Sequence, residues 1–167
     1  MGAVLAGASR IVVIDRNPDK DAMCRSFGAT DVVITDDLTD AVSAIREATD
    51  GRGVDYVFDA VGLASIESVL LDCLAPAGTA VLVGIPSNGT AFEVDAAEFI
   101  RREKVLTGSI FGSADTARDF VDYAQRYLDG RLPIDRLVTE RYRLDEINEA
   151  CDAMLSGGVG RGVIVFD

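Results

Sequence analysis

The sequence predicts a doubly wound α/β fold, a parallel sheet with helices on both faces, and three observations carry that prediction. Short β-branched, apolar runs alternate with amphipathic segments of helical period. The first run, Arg10-Ile11-Val12-Val13-Ile14, closes on Asp15 and is followed by Asn17-Pro18-Asp19-Lys20. An acid at the carboxyl end of a buried strand, ahead of a turn and a helix, is how such domains hold the ribose hydroxyls of a nucleotide. In those domains a strand and a glycine-rich turn come about twenty residues before the acid, yet only Met1 to Ser9 precede this run. The expected architecture is a doubly wound parallel sheet lacking its first strand, with a C-terminal α+β segment.

The elements follow in order. Pro18 suits the first turn of a helix running to Phe27, and Gly28 supplies its stop. Asp31–Thr35 reads as a short strand. Asp36 and Asp37 open a helix whose apolar face is Leu38, Ala41, Val42 and Ile45, ending near Gly51. Val54–Phe58 is a strand with Asp59-Ala60-Val61-Gly62 at its carboxyl end. Ile66, Val69, Leu70 and Leu74 mark a helix closed by Pro76-Ala77-Gly78. Thr79–Val83 reads as a strand buried on both faces, ended by Gly84-Ile85-Pro86. A polar connection, Ser87 to Thr90, leads to a helix over Ala96–Arg102 and a strand over Val105–Ile110. The rhythm then changes. A long helix, Thr116 to Leu128, ends at Gly130; a strand is placed at Leu137–Tyr142, a helix at Asp145–Leu155 and a last strand at Gly162–Phe166. The expected domains are residues 1–111 and 112–167.

Composition narrows the classes. The 167 residues suffice for one domain with a core and a short appendage. Apolar residues make up 49% and charged residues 26%, ordinary for a soluble globular protein. No apolar run approaches the ~20 residues that cross a bilayer, and no basic-then-apolar leader opens the chain, so the expected location is cytoplasmic. A net charge of −12 argues against nucleic acid and anionic membrane as partners. There is no histidine, which excludes Ser-His-Asp and Cys-His chemistry. Cys24, Cys73 and Cys151 are widely separated, so no closed zinc ligand set is expected. Each sits in an apolar helical pattern and reads as a small core residue.

Candidate sites fall mostly at strand ends. Asp15 can accept hydrogen bonds from the 2′- and 3′-hydroxyls of an adenosine ribose, and its charge repels a 2′-phosphate, favouring NAD over NADP. Arg16, beside it, could instead accept such a phosphate. Lys20, one turn on, can reach the same ribose. By themselves Asp15 also suits a turn and Lys20 a solvated charge. Ala60-Val61-Gly62, Val83-Gly84-Ile85 and Ser109-Ile110-Phe111 are small or glycine-containing strand ends, where glycine lets the backbone approach a flat ligand but more often simply turns the chain. Gly157-Gly158-Val159-Gly160-Arg161-Gly162 resembles a phosphate loop but precedes a strand, whereas a phosphate cradle follows one. It reads as a flexible turn, with Arg161 able to contact an anion. Asp36 and Asp37 read as structural acids at a helix N-terminus.

Taken in order, Leu5-Ala6-Gly7-Ala8, Val12 through Lys20, Phe27-Gly28-Ala29-Thr30 and Gly53-Val54-Asp55-Tyr56 resemble the zinc-containing medium-chain alcohol dehydrogenases. So do Val83-Gly84-Ile85-Pro86, Gly108 through Gly112, Asp145 through Ala150 and Arg161-Gly162-Val163-Ile164. The resemblance implies a Rossmann-type cofactor domain and an NAD-dependent oxidoreductase acting on a small alcohol or aldehyde. It implies that Asp15 and Lys20 contact the adenosine ribose and Arg161 the pyrophosphate. Val61, Val83, Ile85, Ser109 and Phe111 then fall on the nicotinamide side. It implies homodimers or homotetramers through the sheet edge near Thr79–Val94, and a segment after Ser113 that packs on the catalytic domain.

In that family the zinc ligands and proton relay lie in an N-terminal domain. Met1 to Ala8 match the end of the first crossover helix, so neither catalytic nor metal residues are expected here. The chain alone is expected to bind NAD poorly and to turn nothing over. A zinc-free quinone or enoyl reductase of the same superfamily would share these residues. A methyltransferase using S-adenosylmethionine also has an acid after its second strand, but its sheet ends in an antiparallel hairpin strand that this sequence does not show before Phe111. A receiver-like module needs an acidic cluster at its first strand's end, which is missing.

Overall fold

The computed structural model describes residues 1–166 as an α/β protein in which every strand pairing is parallel. The chain forms two compact units, Met1–Ile34 with Asp115–Asp167, and Thr35–Ala114.

In the first unit, a short helix α1 (Gly2–Leu5) precedes β1 (Val12–Asp15), which pairs with β2 (Asp31–Ile34). Between them Asn17 caps a 3-10 turn, Pro18–Lys20, which leads into α2 (Asp21–Ser26). The sequence predicts one continuous helix here. Proline at the first position favours a helical start but gives no N–H, and the first turn tightens to 3-10 geometry. Helix α6 (Thr116–Leu128) is capped by Asp115. Next, β6 (Val138–Arg143), α7 (Ile147–Leu155) and β7 (Arg161–Val165) make a parallel strand–helix–strand unit. The two parts of the unit meet where the Arg136 guanidinium lies 5.4 Å over the Phe27 ring and where Asn17 Nδ2 donates to the Gly157 carbonyl at 2.9 Å.

In the second unit, α3 (Leu38–Ala48) starts at Asp37, whose carboxylate accepts the Thr39 N–H at 2.7 Å, the structural role the sequence suggests. Strands β3 (Val54–Asp59), β4 (Leu74–Leu82) and β5 (Val105–Gly108) lie in that order, with α4 (Ala64–Cys73) and α5 (Ala96–Arg101) between them. Arg46 on α3 donates to the carbonyls of Gly51 and Arg52 at 3.0 Å each, and to those of Asp72 and Leu74, where α4 ends. The core is Leu70, Leu71, Leu74 and Ala80, with Val54, Val57, Ile66, Leu82, Phe99 and Leu106 packed around it. Each buried leucine contributes about 1.5–3 kcal/mol.

Three further details differ from the sequence reading. Strand β4 begins at Leu74, inside the expected helix, because Val54 pairs with Leu74 before the register shifts around Ala77, at φ +59°. Gly53 makes this possible: a Cβ there would meet the Cys73 carbonyl at 2.6 Å and the Ala75 nitrogen at 2.7 Å. Strand β4 is also not buried throughout, since Ala80 is sealed, Val81 and Leu82 are half-buried and Val83, just beyond the strand, is exposed. Of the cysteines only Cys73 is buried; Cys24 is intermediate and Cys151 exposed. No helix among the described residues is long and apolar enough to cross a membrane.

Candidate functional site

Asp15 is the last residue of β1, paired with Ile34 of β2, so its carboxylate stands at the carboxyl edge of that ladder. Its Oδ1 accepts the Asn17 N–H at 2.9 Å. The Lys20 ammonium donates to Oδ2 at 3.1 Å and to Oδ1 at 3.4 Å. Burial would push this carboxyl up, but the Asn17 N–H and the Lys20 ammonium outweigh it and hold it below the usual carboxylate range. The side chains of Asp15 and Lys20 remain 25% and 32% exposed. An ionised carboxylate has about four acceptor positions and an ammonium three protons, so both groups keep capacity for a further polar ligand. An acceptor-only carboxylate beside a cation fits a vicinal diol. Arg16, next in sequence, is exposed.

The turn after α7 is better held than the sequence suggests. The Gly157 carbonyl accepts from Asn17 Nδ2, and the Val159 carbonyl accepts from the Thr139 hydroxyl. Gly160, at φ +79°, lies so near Thr139 that a Cβ would meet its Cγ2 at 2.5 Å. The expected flexible turn is thus clasped at two carbonyls. Arg161 opens β7 opposite Val138 and is exposed.

In the second unit, Asp59, Leu82 and Gly108 sit side by side as the three parallel strands end. Val61, Val83 and Ser109 follow on that same edge, with the Ser109 N–H donating to the Leu82 carbonyl at 2.9 Å. Val61 is 61% exposed and Ile85 78%. Phe111 is 89% exposed and has φ +50°. The glycines here answer a contact between chain segments that the sequence does not show. A Cβ on Gly84 would collide with the Gly62 nitrogen and the Val61 backbone, and one on Gly62 would meet the Gly84 and Ile85 backbones at 2.8 Å. Their missing side chains let two chain segments touch, so they do not by themselves open space for a ligand.

Sequence reasoning passed over Asp59, Asn17 and Thr139. Asp59 is 2% exposed. Its carboxylate accepts the Val61 N–H at 2.8 Å and the Gly62 N–H at 3.0 Å, and its carbonyl accepts the N–H groups of Val83 and Gly84. It therefore fixes both strand ends. The signal was an acid followed by small residues after a strand, a pattern that forms its own side-chain turn. Thr139 gave no signal at all. Among the described residues, no group of three or more histidine, cysteine or acidic side chains is placed to hold a metal ion.

A family model described as zinc-binding dehydrogenase matches residues 1–126. The chain is 35% identical over 166 residues to alcohol dehydrogenase class-3 of Myxine glutinosa, covering 98% of this chain and 44% of that protein. An alcohol dehydrogenase zinc-binding domain protein from Burkholderia ambifaria has the same fold, with a TM-score of 0.91 and 33% identity over 99% of this chain and 44% of its own. Benzyl alcohol dehydrogenase from Acinetobacter calcoaceticus superposes with a TM-score of 0.91 at 30% identity, over 99% of this chain and 45% of its own. The chain thus spans less than half the length of the relatives it matches. With the family model matched over residues 1–126, the chain belongs to the zinc-binding dehydrogenase family.

Proposed function

We propose that this chain is the coenzyme-binding part of an NAD-dependent alcohol dehydrogenase. The observation that carries the reading is the Asp15 carboxylate at the end of β1, held by the Asn17 N–H and the Lys20 ammonium. Asp15 and Lys20 hold the adenosine ribose, and the Asp15 charge disfavours a 2′-phosphate. Arg161 pairs with the pyrophosphate. Val61, Val83, Ile85, Ser109 and Phe111 orient the nicotinamide and shield it from water. When bound, the nicotinamide ring supplies the hydride acceptor for the alcohol carbon. Residues 1–111 belong to the cofactor domain, and residues 112–167 pack on a catalytic domain. That domain brings the zinc ligands and proton relay, and no step of catalysis belongs to a residue of this chain. The whole enzyme acts on a small alcohol or aldehyde as a homodimer or homotetramer.

Titration of the full chain with ADP-ribose, its 2′-phosphorylated analogue and S-adenosylmethionine, followed by NMR, tests this. ADP-ribose is expected to bind weakly and in preference to the other two, with Asp15→Ala removing the preference. Preferential binding of the 2′-phosphate would overturn the NAD assignment, and preferential binding of S-adenosylmethionine would overturn the family of reaction. Alcohol oxidation by the 167-residue chain with added zinc would overturn the claim that its catalytic groups lie elsewhere.

A further inference from the structure

Asn17 uses every polar atom it has. Its N–H donates to Asp15 Oδ1 at 2.9 Å, and its side-chain oxygen accepts the Asp19 N–H at 2.9 Å, capping the 3-10 turn that carries Lys20. Its carbonyl accepts the Lys20 N–H at 3.2 Å. Its side-chain amide then reaches a residue 140 positions away, donating to the Gly157 carbonyl at 2.9 Å. The turn it grips is clasped again by Thr139 at Val159 and leads directly into Arg161. Gly157, at φ +80°, and Gly160, at φ +79°, hold backbone conformations that L side chains rarely adopt, so the turn's course is set by these clasps and by glycine.

We propose that Asn17 is a positioning residue that ties the ribose-reading pair Asp15 and Lys20 to the Arg161 turn, so that the adenosine ribose and the adjoining pyrophosphate of an ADP-ribosyl group are bound as a unit. This rests on the assignment of Asp15 and Arg161 under Proposed function. The residue type follows from the geometry. Serine would keep the cap but not reach Gly157, aspartate would lose the donor, and alanine would lose both.

The test uses the full chain and the variants Asn17→Ser and Thr139→Val. Serine caps as well as asparagine, and valine preserves the shape of threonine, so both variants keep the fold while each opens one clasp. In the ligand-free chain, losing one neutral hydrogen bond is expected to speed amide exchange at Val159–Arg161 about fivefold. Each variant is expected to weaken ADP-ribose binding about fivefold while leaving adenosine, which carries no phosphate, within about twofold. Arg161→Ala is expected to cost about tenfold in the parent chain and only about twofold on top of Asn17→Ser, because coupled residues are not additive. Equal weakening of adenosine and ADP-ribose would mean that Asn17 only maintains the local fold, and would overturn the proposal. So would unchanged ADP-ribose affinity or full additivity with Arg161→Ala. ADP-ribose failing to bind the parent chain would overturn the ribose reading itself and this proposal with it.

Discussion

The unit Thr35–Ala114 seals Leu74, Ala75 and Ala80 from solvent, each at 1% exposure or less, whereas the unit built from the two chain ends has no buried residue among those described. The difference follows from strand number. Three parallel strands with α4 packed against β3 and β4 enclose Leu70, Leu71 and Leu74. The other unit holds two ladders of two strands each, and a two-stranded ladder has too little surface to close a core by itself. Phe120 and Leu128 on α6 and Met154 and Leu155 on α7 consequently stay more than 60% exposed. The proposed ribose reader thus stands on the unit with the thinner core, held by specific hydrogen bonds and not by packing. Burial makes one unit stable; polar clasps give the other its shape.

The contrast is broken most directly by truncation. Leu74→Ala, at 1% exposure, is expected to cost about 2–5 kcal/mol in urea unfolding, and Leu155→Ala, at 79% exposure, less than about 0.5 kcal/mol. Equal costs would show that the two units do not differ in this way. Next comes Asp59→Ala, which leaves the N–H groups of Val61 and Gly62 without their acceptor. Its expected cost is about 1–3 kcal/mol, with Asp59→Asn well below that because an amide oxygen still accepts.

Thiol chemistry sharpens the comparison with a smaller perturbation. Burial pushes the Cys73 thiol up to about 11, so it stays protonated and inert, whereas Cys151 is exposed. A thiol reagent at pH 8 is expected to label Cys151 quickly, Cys24 more slowly and Cys73 only on unfolding. Early labelling of Cys73 would show that the α4 core opens locally.

The smallest effect is acid sensitivity at Asp15. Its carboxyl lies below its ordinary value in the folded state, so its stabilising contribution is present above the unfolded value of about 3.9 and is lost as pH falls through the lowered folded value. Both side chains of the pair are about a quarter to a third exposed, so the effect is small and weakened by salt. Asp15→Asn is expected to flatten stability against pH in that window, and an unchanged slope would show that the pair with Lys20 contributes nothing.

The sequence was most legible where one residue type answers one local demand. Asp15 closing a run of branched residues, Pro18 opening a turn and Asp37 heading a helix each announce an element, because strand period and capping are short-range. Less was legible where the chain meets itself. The start of β4 at Leu74 depends on Gly53 lying under Ala75, and Gly62 and Gly84 are glycines because their backbones touch. Neither contact leaves a trace in periodicity.

The sequence by itself determined the strand and helix alternation, the carboxylate after the first strand and the family, since these rest on local period and on residues in a fixed order. Only the tertiary structure decided that Asn17 reaches Gly157, that Asp59 pins two strand ends and that Cys73 alone of the three cysteines is sealed. Hydrogen-bond partners and burial depend on distances in space, and residues 140 positions apart acquire a distance only once the chain has folded.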